Sequence, residues 1–269
     1  MGEQGSSVNP KALLVVSFGT AYRETREKNI EKIEGELRDA CSDRVFYRAW
    51  TSGMIIRKLR ERDGEEIFTV PQAMEQMAAD GIREILVQPT HVINGVENDL
   101  MKEDVLRYRD RFRSIVFGEP LLTSEQDDFE VVEAIGREYA FLEPDEALVL
   151  MGHGTSHYAN AIYAAMDYTF KERGYGNIFL GTVEAYPSTE ALLKLVGRYA
   201  PRKVILAPFM VVAGNHAESD MSGEKPESWR SLFEQAGYEV ECRMKGLGEY
   251  PGIRRIYRRH AEAALASRP

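Results

Sequence analysis

The sequence predicts an α/β protein with two similar lobes, each a four-stranded parallel sheet flanked by helices, and a cleft between them. Three observations predict this class. Apolar runs of strand length alternate with amphipathic segments of helical period, as in proteins with parallel sheets. The second half of the chain repeats motifs of the first half in the same order. A length of 269 residues is sufficient for one large α/β domain or two small ones.

Each half of the chain contains four apolar runs that fit buried strands. The first run, Ala12–Phe18, is continuously apolar apart from one serine, a pattern typical of a strand that helices cover on both faces. The predicted strands are Ala12–Phe18, Arg44–Trp50, Glu84–Gln88, Ser114–Phe117, Ala147–Met151, Ile178–Val183, Lys203–Pro208 and Tyr238–Arg243.

The segments between these strands have the spacing of amphipathic helices. A charged segment over Tyr22–Ala40 places isoleucine and leucine side chains at helical intervals. Pro71 suits the first position of a helix over Pro71–Ala79, because the backbone N–H at that position has no partner within the helix. Two further amphipathic helices are predicted, over Glu190–Tyr199 and Ile253–Ala266.

An internal repeat relates the two halves. Three pairs of segments carry it: Ala12–Thr20 with Ala147–Thr155, Arg48–Ser52 with Glu184–Ser188, and Arg83–Gly95 with Arg202–Gly214. The third pair keeps a proline and a glycine at identical internal spacing. Each match alone is weak, but their common order indicates a duplicated four-stranded unit. The repeat predicts an N-terminal lobe over residues 1–143 and a C-terminal lobe over residues 144–269.

Three candidate metal ligands follow three strands of the second half. His153 comes after the first strand, Glu184 ends the second, and His216 lies beyond the third. Ligands bind at the carboxyl ends of parallel strands, so these side chains are expected to meet in the cleft. Two imidazoles and a carboxylate suit a first-row divalent ion and leave coordination positions open. The alternative, isolated loop histidines with local hydrogen bonds, stays open.

The repeat assigns the C-terminal lobe as the one that carries the metal site. In the first half, the positions that the repeat makes equivalent to His153, Glu184 and His216 are occupied by Phe18, Arg48 and Glu97.

Side chains of the first half could contact a substrate at the same edge. His91 ends the third strand and could assist proton transfer or contact the substrate. Arg57, with its neighbour Lys58, could bind carboxylates, or could belong to a solvated helix face. Met54 could offer apolar surface to a flat ring, or could fill the core. We expect His260 in the last helix to lie at the surface.

Composition and motifs exclude several classes of protein. A formal net charge of −9 provides no general attraction for nucleic acid or an anionic membrane. Cys41 and Cys242 lie far apart and form no CxxC pair, which favours reduced thiols in the cytoplasm. Neither a membrane-spanning run nor a secretion signal is recognisable. Gly152–Ser156 lacks the third glycine of a dinucleotide loop, and no GxSxG hydrolase motif occurs.

Several segments together resemble the anaerobic-pathway cobaltochelatases of the CbiK type, within the class II chelatases. They are Ala12–Thr20, Thr51–Leu59, Met151–Gly154, Val183–Pro187 and Val212–Ala217. The resemblance extends from about Lys11 to the C-terminal helix. It implies a chelatase-like fold around a tetrapyrrole cleft, sirohydrochlorin or precorrin-2 as the substrate, and Co²⁺ as the inserted ion. It also implies that His153, Glu184 and His216 face the metal.

The resulting hypothesis is a metal chelatase of the lyase class, active in the cytoplasm in anaerobic cobalamin biosynthesis. It would insert Co²⁺, release two protons and need no organic cofactor. Imidazole suits proton acceptance near neutral pH, and we expect His153 to combine ligation with proton removal. Insertion of Fe²⁺ into sirohydrochlorin or a porphyrin stays open, as does a non-catalytic haem or metal carrier. A homo-oligomer is also left open, whereas no nucleic-acid or membrane partner is expected.

Overall fold

Two parallel β-sheets form the framework of the protein in a computed structural model, which describes residues 10–267. The first nine and last two residues of the predicted lobes lie outside this range. The strands are β1 (Lys11–Ser17), β2 (Val45–Trp50), β3 (Phe68–Thr69), β4 (Glu84–Pro89), β5 (Ser114–Phe117), β6 (Glu146–Gly152), β7 (Ile178–Thr182), β8 (Lys203–Pro208) and β9 (Glu239–Cys242).

Helices connect these strands and cover the sheets. They are α1 (Arg23–Lys28), α2 (Ile30–Ala40), α3 (Gly53–Asp63), α4 (Val70–Ala79), α5 (Val96–Leu106), α6 (Glu125–Glu138), α7 (Ala161–Glu172), α8 (Thr189–Tyr199), α9 (Trp229–Gln235) and α10 (Pro251–Ala266). None of the helices within residues 10–267 is both long and apolar enough to span a membrane.

The two sheets share one topology. Their strand orders are β3-β2-β1-β4-β5 and β7-β6-β8-β9, and every strand pair is parallel. In each, the first strand in the chain is internal, the second pairs with it on one side, and the last two strands of the sheet lie on the opposite side. The two-lobed α/β prediction is therefore confirmed. The first sheet also contains β3, a two-residue strand that is too short to produce a recognisable pattern.

The core follows from the alternation of side chains along the strands. On β1, Leu13 and Val15 belong to one buried cluster, whereas Leu14 and Val16 belong to another on the opposite face. The cluster of Leu13 also contains side chains of β6, including Leu148. Apolar packing is thus continuous between the two halves of the chain. The boundary between residues 143 and 144 stays a prediction.

The single helix predicted over Tyr22–Ala40 is divided at Asn29 into α1 and α2. The buried Asn29 side chain donates to the backbone oxygen of Thr25 at 2.9 Å. Gly248 packs directly on Asn29, and a Cβ at Gly248 would lie 2.8 Å from the Asn29 Cα. The break follows from this tertiary contact, which helical periodicity does not encode.

The last helix, α10, packs against α2 and α6 of the first half, although it follows the second sheet in the chain. His260 on this helix is only 7% exposed, so its predicted surface position is wrong. Its Nε2 lies 2.9 Å from Oδ1 of the fully buried Asp127, and its Nδ1 lies 3.1 Å from the backbone oxygen of Glu119. Asp127 also accepts a 2.8 Å hydrogen bond from Arg259. Polar contacts therefore fix α10 to the start of α6.

Candidate metal centre

Three side chains converge at the carboxyl ends of β6, β7 and β8. His153 directly follows β6, Glu184 follows β7 by two residues, and His216 belongs to the loop after β8. One potential ligand atom of each lies within 4.8 Å of the others. The parallel register brings these strand ends to one edge, as the sequence indicated.

A glycine turn positions the first two of these residues. Gly154 has a φ of +85°, and a Cβ there would lie 2.9 Å from the backbone nitrogen of Ala185. Only glycine permits this conformation and this close approach at low cost. The backbone N–H of Glu184 then donates to the backbone oxygen of His153 at 3.0 Å. The loops after β6 and β7 are thereby fixed beside each other.

The two imidazoles face each other through their Nε2 atoms, which lie 3.1 Å apart with the rings perpendicular at 89°. Nδ1 of His153 lies 2.9 Å from the backbone oxygen of Gly154, and Nδ1 of His216 lies 2.6 Å from Oδ2 of Asp220. Both oxygens accept, so each Nδ1 donates, and in a neutral imidazole with this tautomer the Nε2 atom has a lone pair available to a cation between the rings.

The separation of the two nitrogens fits coordination of one ion. Bonds of about 2.0–2.1 Å from imidazole nitrogen to a divalent metal place two nitrogens on one ion about 3.0–3.4 Å apart. Glu184 Oε2 lies 3.7 Å from His153 Nδ1, and the Glu184 side chain is 53% exposed. The centre is thus open to solvent on one side, where an incoming ligand could reach the ion.

Asp220 is a member of this centre that the sequence analysis did not identify. It lies on a π-helical turn over Ala217–Met221, four residues after His216. A carboxylate that holds the distal nitrogen of a ligand histidine fixes the tautomer and ring orientation and increases ligand basicity. The i,i+4 spacing of His216 and Asp220 was the available signal, but a helical turn was not predicted at this position.

His91 lies beyond β4 and is buried. Neither of its ring nitrogens has a hydrogen-bond partner in the described part of the chain. Burial lowers the pKa of His91 to about 4, and the nearby Asn98 only partly offsets this effect. The imidazole is therefore neutral near pH 7. It is not part of the cluster that His153 forms.

Met54 and Arg57 lie on the first turns of α3, just after the carboxyl end of β2. Met54 is 76% exposed, so the alternative of a core position is excluded. Arg57 is also exposed, and no ion pair involves it within residues 10–267. Both side chains begin at the edge of the first sheet that corresponds to the edge of the second sheet where His153 lies.

The predicted equivalence of Arg48 and Glu184 is wrong. Trp50 pairs with Ser17 in the first sheet, and Thr182 pairs with Gly152 at the equivalent position of the second. Ser52 and Glu184 each lie two residues further along the chain, so Ser52 is the equivalent of Glu184. Arg48 lies inside β2 and donates to the buried Glu34 at 2.7 Å. The sequence match relied on an alanine followed by an aromatic residue in both segments, and it differs from the strand register by four residues.

The third repeat pair, in contrast, agrees with the strand register. Pro89 pairs with Val16 as Pro208 pairs with Met151.

Comparison with known proteins gives consistent results. Residues 11–266 match a family described as "Cobalt chelatase (CbiK)". A sirohydrochlorin cobaltochelatase of Salmonella typhimurium is 41% identical, with 95% of this chain and 96% of the relative covered. The SirB structure from Bacillus subtilis with Fe³⁺ has a TM-score of 0.66 at 15% identity, and 96% of each chain is covered. SirB of Bacillus subtilis subspecies spizizenii in complex with cobalt has a TM-score of 0.63 at 15% identity, covering 96% of this chain and 97% of that one.

Proposed function

The chain belongs to the cobalt chelatase (CbiK) family, and we propose on this premise that it inserts Co²⁺ into sirohydrochlorin in anaerobic cobalamin biosynthesis. The observation that carries the proposal is the 3.1 Å approach of two imidazole Nε2 atoms beside a carboxylate at an open edge. Precorrin-2 is the second substrate that this proposal allows. The proposed reaction takes place in the cytoplasm, where the free thiols of Cys41 and Cys242 would stay reduced.

The proposed reaction needs a metal holder and a proton acceptor. Two pyrrole N–H bonds break, the ring nitrogens bind Co²⁺, and two protons leave without any redox change. The Asp220 carboxylate strengthens His216 as a ligand, whereas a neutral carbonyl oxygen holds His153. This difference supports His216 as the firmer ligand and His153 as the one that releases the ion and accepts a proton. Glu184 would balance the charge of the ion.

First-half side chains complete the proposed substrate site. Arg57 and its exposed neighbour Lys58 would bind peripheral carboxylates of the tetrapyrrole. Met54, whose side chain is 76% exposed, would contact the ring itself. Burial lowers the pKa of His91 to about 4, which opposes proton acceptance near pH 7, so the proposed role of His91 is contact with the substrate.

Replacing Asp220 by asparagine is expected to weaken Co²⁺ binding about 10–100-fold, because the ring of His216 loses its charged partner. Equilibrium titration of the protein with Co²⁺ against a competing chelator measures the change. Glu218→Gln is the matched control, since it removes the same charge from the same turn without touching His216. Equal dissociation constants for the two variants would show that only net charge matters.

Replacing Glu184 by glutamine is expected to lower kcat/KM for cobalt insertion about 10-fold or more, a loss of about 1.4 kcal/mol of transition-state stabilisation. The physical reason is that the carboxylate no longer balances the charge of the ion. Initial rates across pH 6–9 distinguish two roles. A lower rate at every pH indicates that Glu184 is a ligand. A shifted pH profile with an unchanged maximal rate would show instead that Glu184 only affects the protonation of neighbouring groups.

Parallel turnover assays test the function. The protein is mixed with Co²⁺, Fe²⁺ or Ni²⁺ and with sirohydrochlorin or a porphyrin, and absorbance is followed against a protein-free control. We expect the largest acceleration with Co²⁺ and sirohydrochlorin. Faster insertion of Fe²⁺ than of Co²⁺ would identify the protein as a ferrochelatase instead of a cobaltochelatase. Stable binding of the tetrapyrrole without acceleration would identify a carrier and contradict the proposal.

A further inference from the structure

We infer that Phe18 forms the aromatic face on which the tetrapyrrole stacks in the first lobe, opposite the histidine-bearing wall of the second. This inference rests on the proposed function and adds a substrate-positioning residue to it. Phe18 directly follows β1, as His153 follows β6, and its side chain is 45% exposed. An exposed aromatic ring at the carboxyl edge of a sheet is available to a ligand in the cleft.

The turns that carry Phe18 and His153 have the same backbone structure. Gly19 has a φ of +101° and Gly154 a φ of +85°. The Phe18 backbone oxygen accepts from the Ser52 N–H at 3.2 Å, and that of His153 accepts from the Glu184 N–H at 3.0 Å. The two side chains therefore start from equivalent points of the two sheets. An aromatic ring in one lobe replaces the metal-binding imidazole of the other.

The turn at Phe18 packs against a buried tryptophan. A Cβ on Gly19 would lie 2.5 Å from the ring of Trp50, which is fully buried. The positive φ and this close approach both require glycine. The backbone of Phe18 is thus fixed against a rigid indole, while its ring stays partly exposed. A ligand-stacking side chain needs such a fixed position.

The same turn faces the loop that carries His216. Thr20 Oγ1 lies 3.8 Å from the position that a Cβ on Gly214 would take. Glu218 lies close enough to the Tyr22 hydroxyl for a hydrogen bond that raises the pKa of that phenol. Val212, on the loop before His216, packs against the buried cluster that contains Trp50. These contacts place the Phe18 turn beside the loop that carries His216.

This arrangement assigns a separate task to each wall of the cleft. Phenylalanine and serine in the first lobe, at Phe18 and Ser52, are not divalent-metal ligands of the kind formed by His153 and Glu184 in the second. The ion is thereby directed to one wall only. A flat conjugated macrocycle gains stacking energy on the other wall, and its ring nitrogens can face the ion.

Phe18→Ala is expected to raise KM for sirohydrochlorin about 10-fold, with kcat and the KM for Co²⁺ changed less than about twofold. Phe18→Leu keeps apolar volume without a π-face and should give an intermediate increase. Phe18→Trp should retain the wild-type KM. Tyr168→Ala is the control, because Tyr168 is an aromatic residue on α7 with 71% exposure and no part in the site.

Two binding measurements accompany the kinetics. Titration with Co²⁺ alone shows whether each variant keeps an intact metal centre, and titration with sirohydrochlorin alone gives the affinity for the ring. If Phe18→Ala loses Co²⁺ binding, Phe18→Leu provides the decisive comparison. An unchanged sirohydrochlorin affinity in Phe18→Leu, or an equal loss in Tyr168→Ala, would overturn the inference. A wild-type protein that binds sirohydrochlorin without metallating it would instead contradict the proposed function alone.

Discussion

Replacing His153 or His216 by alanine is expected to lower cobalt insertion by about 100-fold or more, because we propose that each residue is a metal ligand and that His153 also accepts a proton. Both side chains are partly exposed, at 42% and 35%, so the fold should not depend on them. Initial rates with saturating sirohydrochlorin and Co²⁺ measure the loss. Circular dichroism and a thermal melt show that each variant is folded.

The control for this experiment is His157→Ala. His157 lies four residues after His153, but its Nδ1 accepts from the backbone N–H of Ala159 and its Nε2 lies 3.6 Å from Asp99. We therefore expect a much smaller effect on the rate. A folded double variant without His153 and His216 that turns over at the wild-type rate would refute the site assignment.

Replacing Asp127 by alanine is expected to reduce the free energy of unfolding by about 3–5 kcal/mol, the usual effect of removing one partner from a buried ionic cluster. Asp127 is fully buried and bonds to His260 and Arg259 of α10 and to Ser124 at the start of α6. Its loss would leave Nε2 of the buried His260 imidazole without an acceptor. Urea denaturation at pH 7 measures the change.

The same cluster predicts a pH dependence. Burial opposes ionisation of Asp127, but hydrogen bonds from His260 and Ser124 outweigh it and hold the pKa of the Asp127 carboxyl well below its usual range. The unfolded carboxyl titrates near pH 3.9, so the stabilisation is complete above about pH 4 and decreases as the pH falls further. This acid-dependent contribution should disappear in Asp127→Asn.

The neighbouring residue offers a control for Asp127. Burial, together with the charges of Asp127 and Glu125, raises the pKa of Asp128 to about 6. Oδ1 of Asp128 has no hydrogen-bond partner in the described part of the chain. Asp128→Asn is therefore expected to leave stability at pH 7 unchanged or slightly increased. Equal losses in the two variants would contradict a specific role for Asp127.

The convergence of the three candidate ligands could be predicted because it depends on local patterns. Apolar runs marked the strands, and parallel strands bring residues that follow them to one edge. His153, Glu184 and His216 therefore lie together although they are distant along the chain.

Features that depend on long-range packing were not predictable in this way. Asp220 acts through a helical turn whose formation gives no clear sequence signal, and His260 is buried because α10 returns to the first half of the chain. The match of Arg48 with Glu184 failed because similar side chains recur at different depths of two strands, and only the strand register distinguishes them.

X-ray absorption spectroscopy at the cobalt edge, on protein loaded with one equivalent of Co²⁺ and no tetrapyrrole, shows whether His153 and His216 bind the ion. We expect two imidazole ligands in the wild-type protein and their loss when His153 and His216 are both replaced by alanine. A wild-type spectrum without imidazole scattering, or one that the double replacement leaves unchanged, would contradict this assignment.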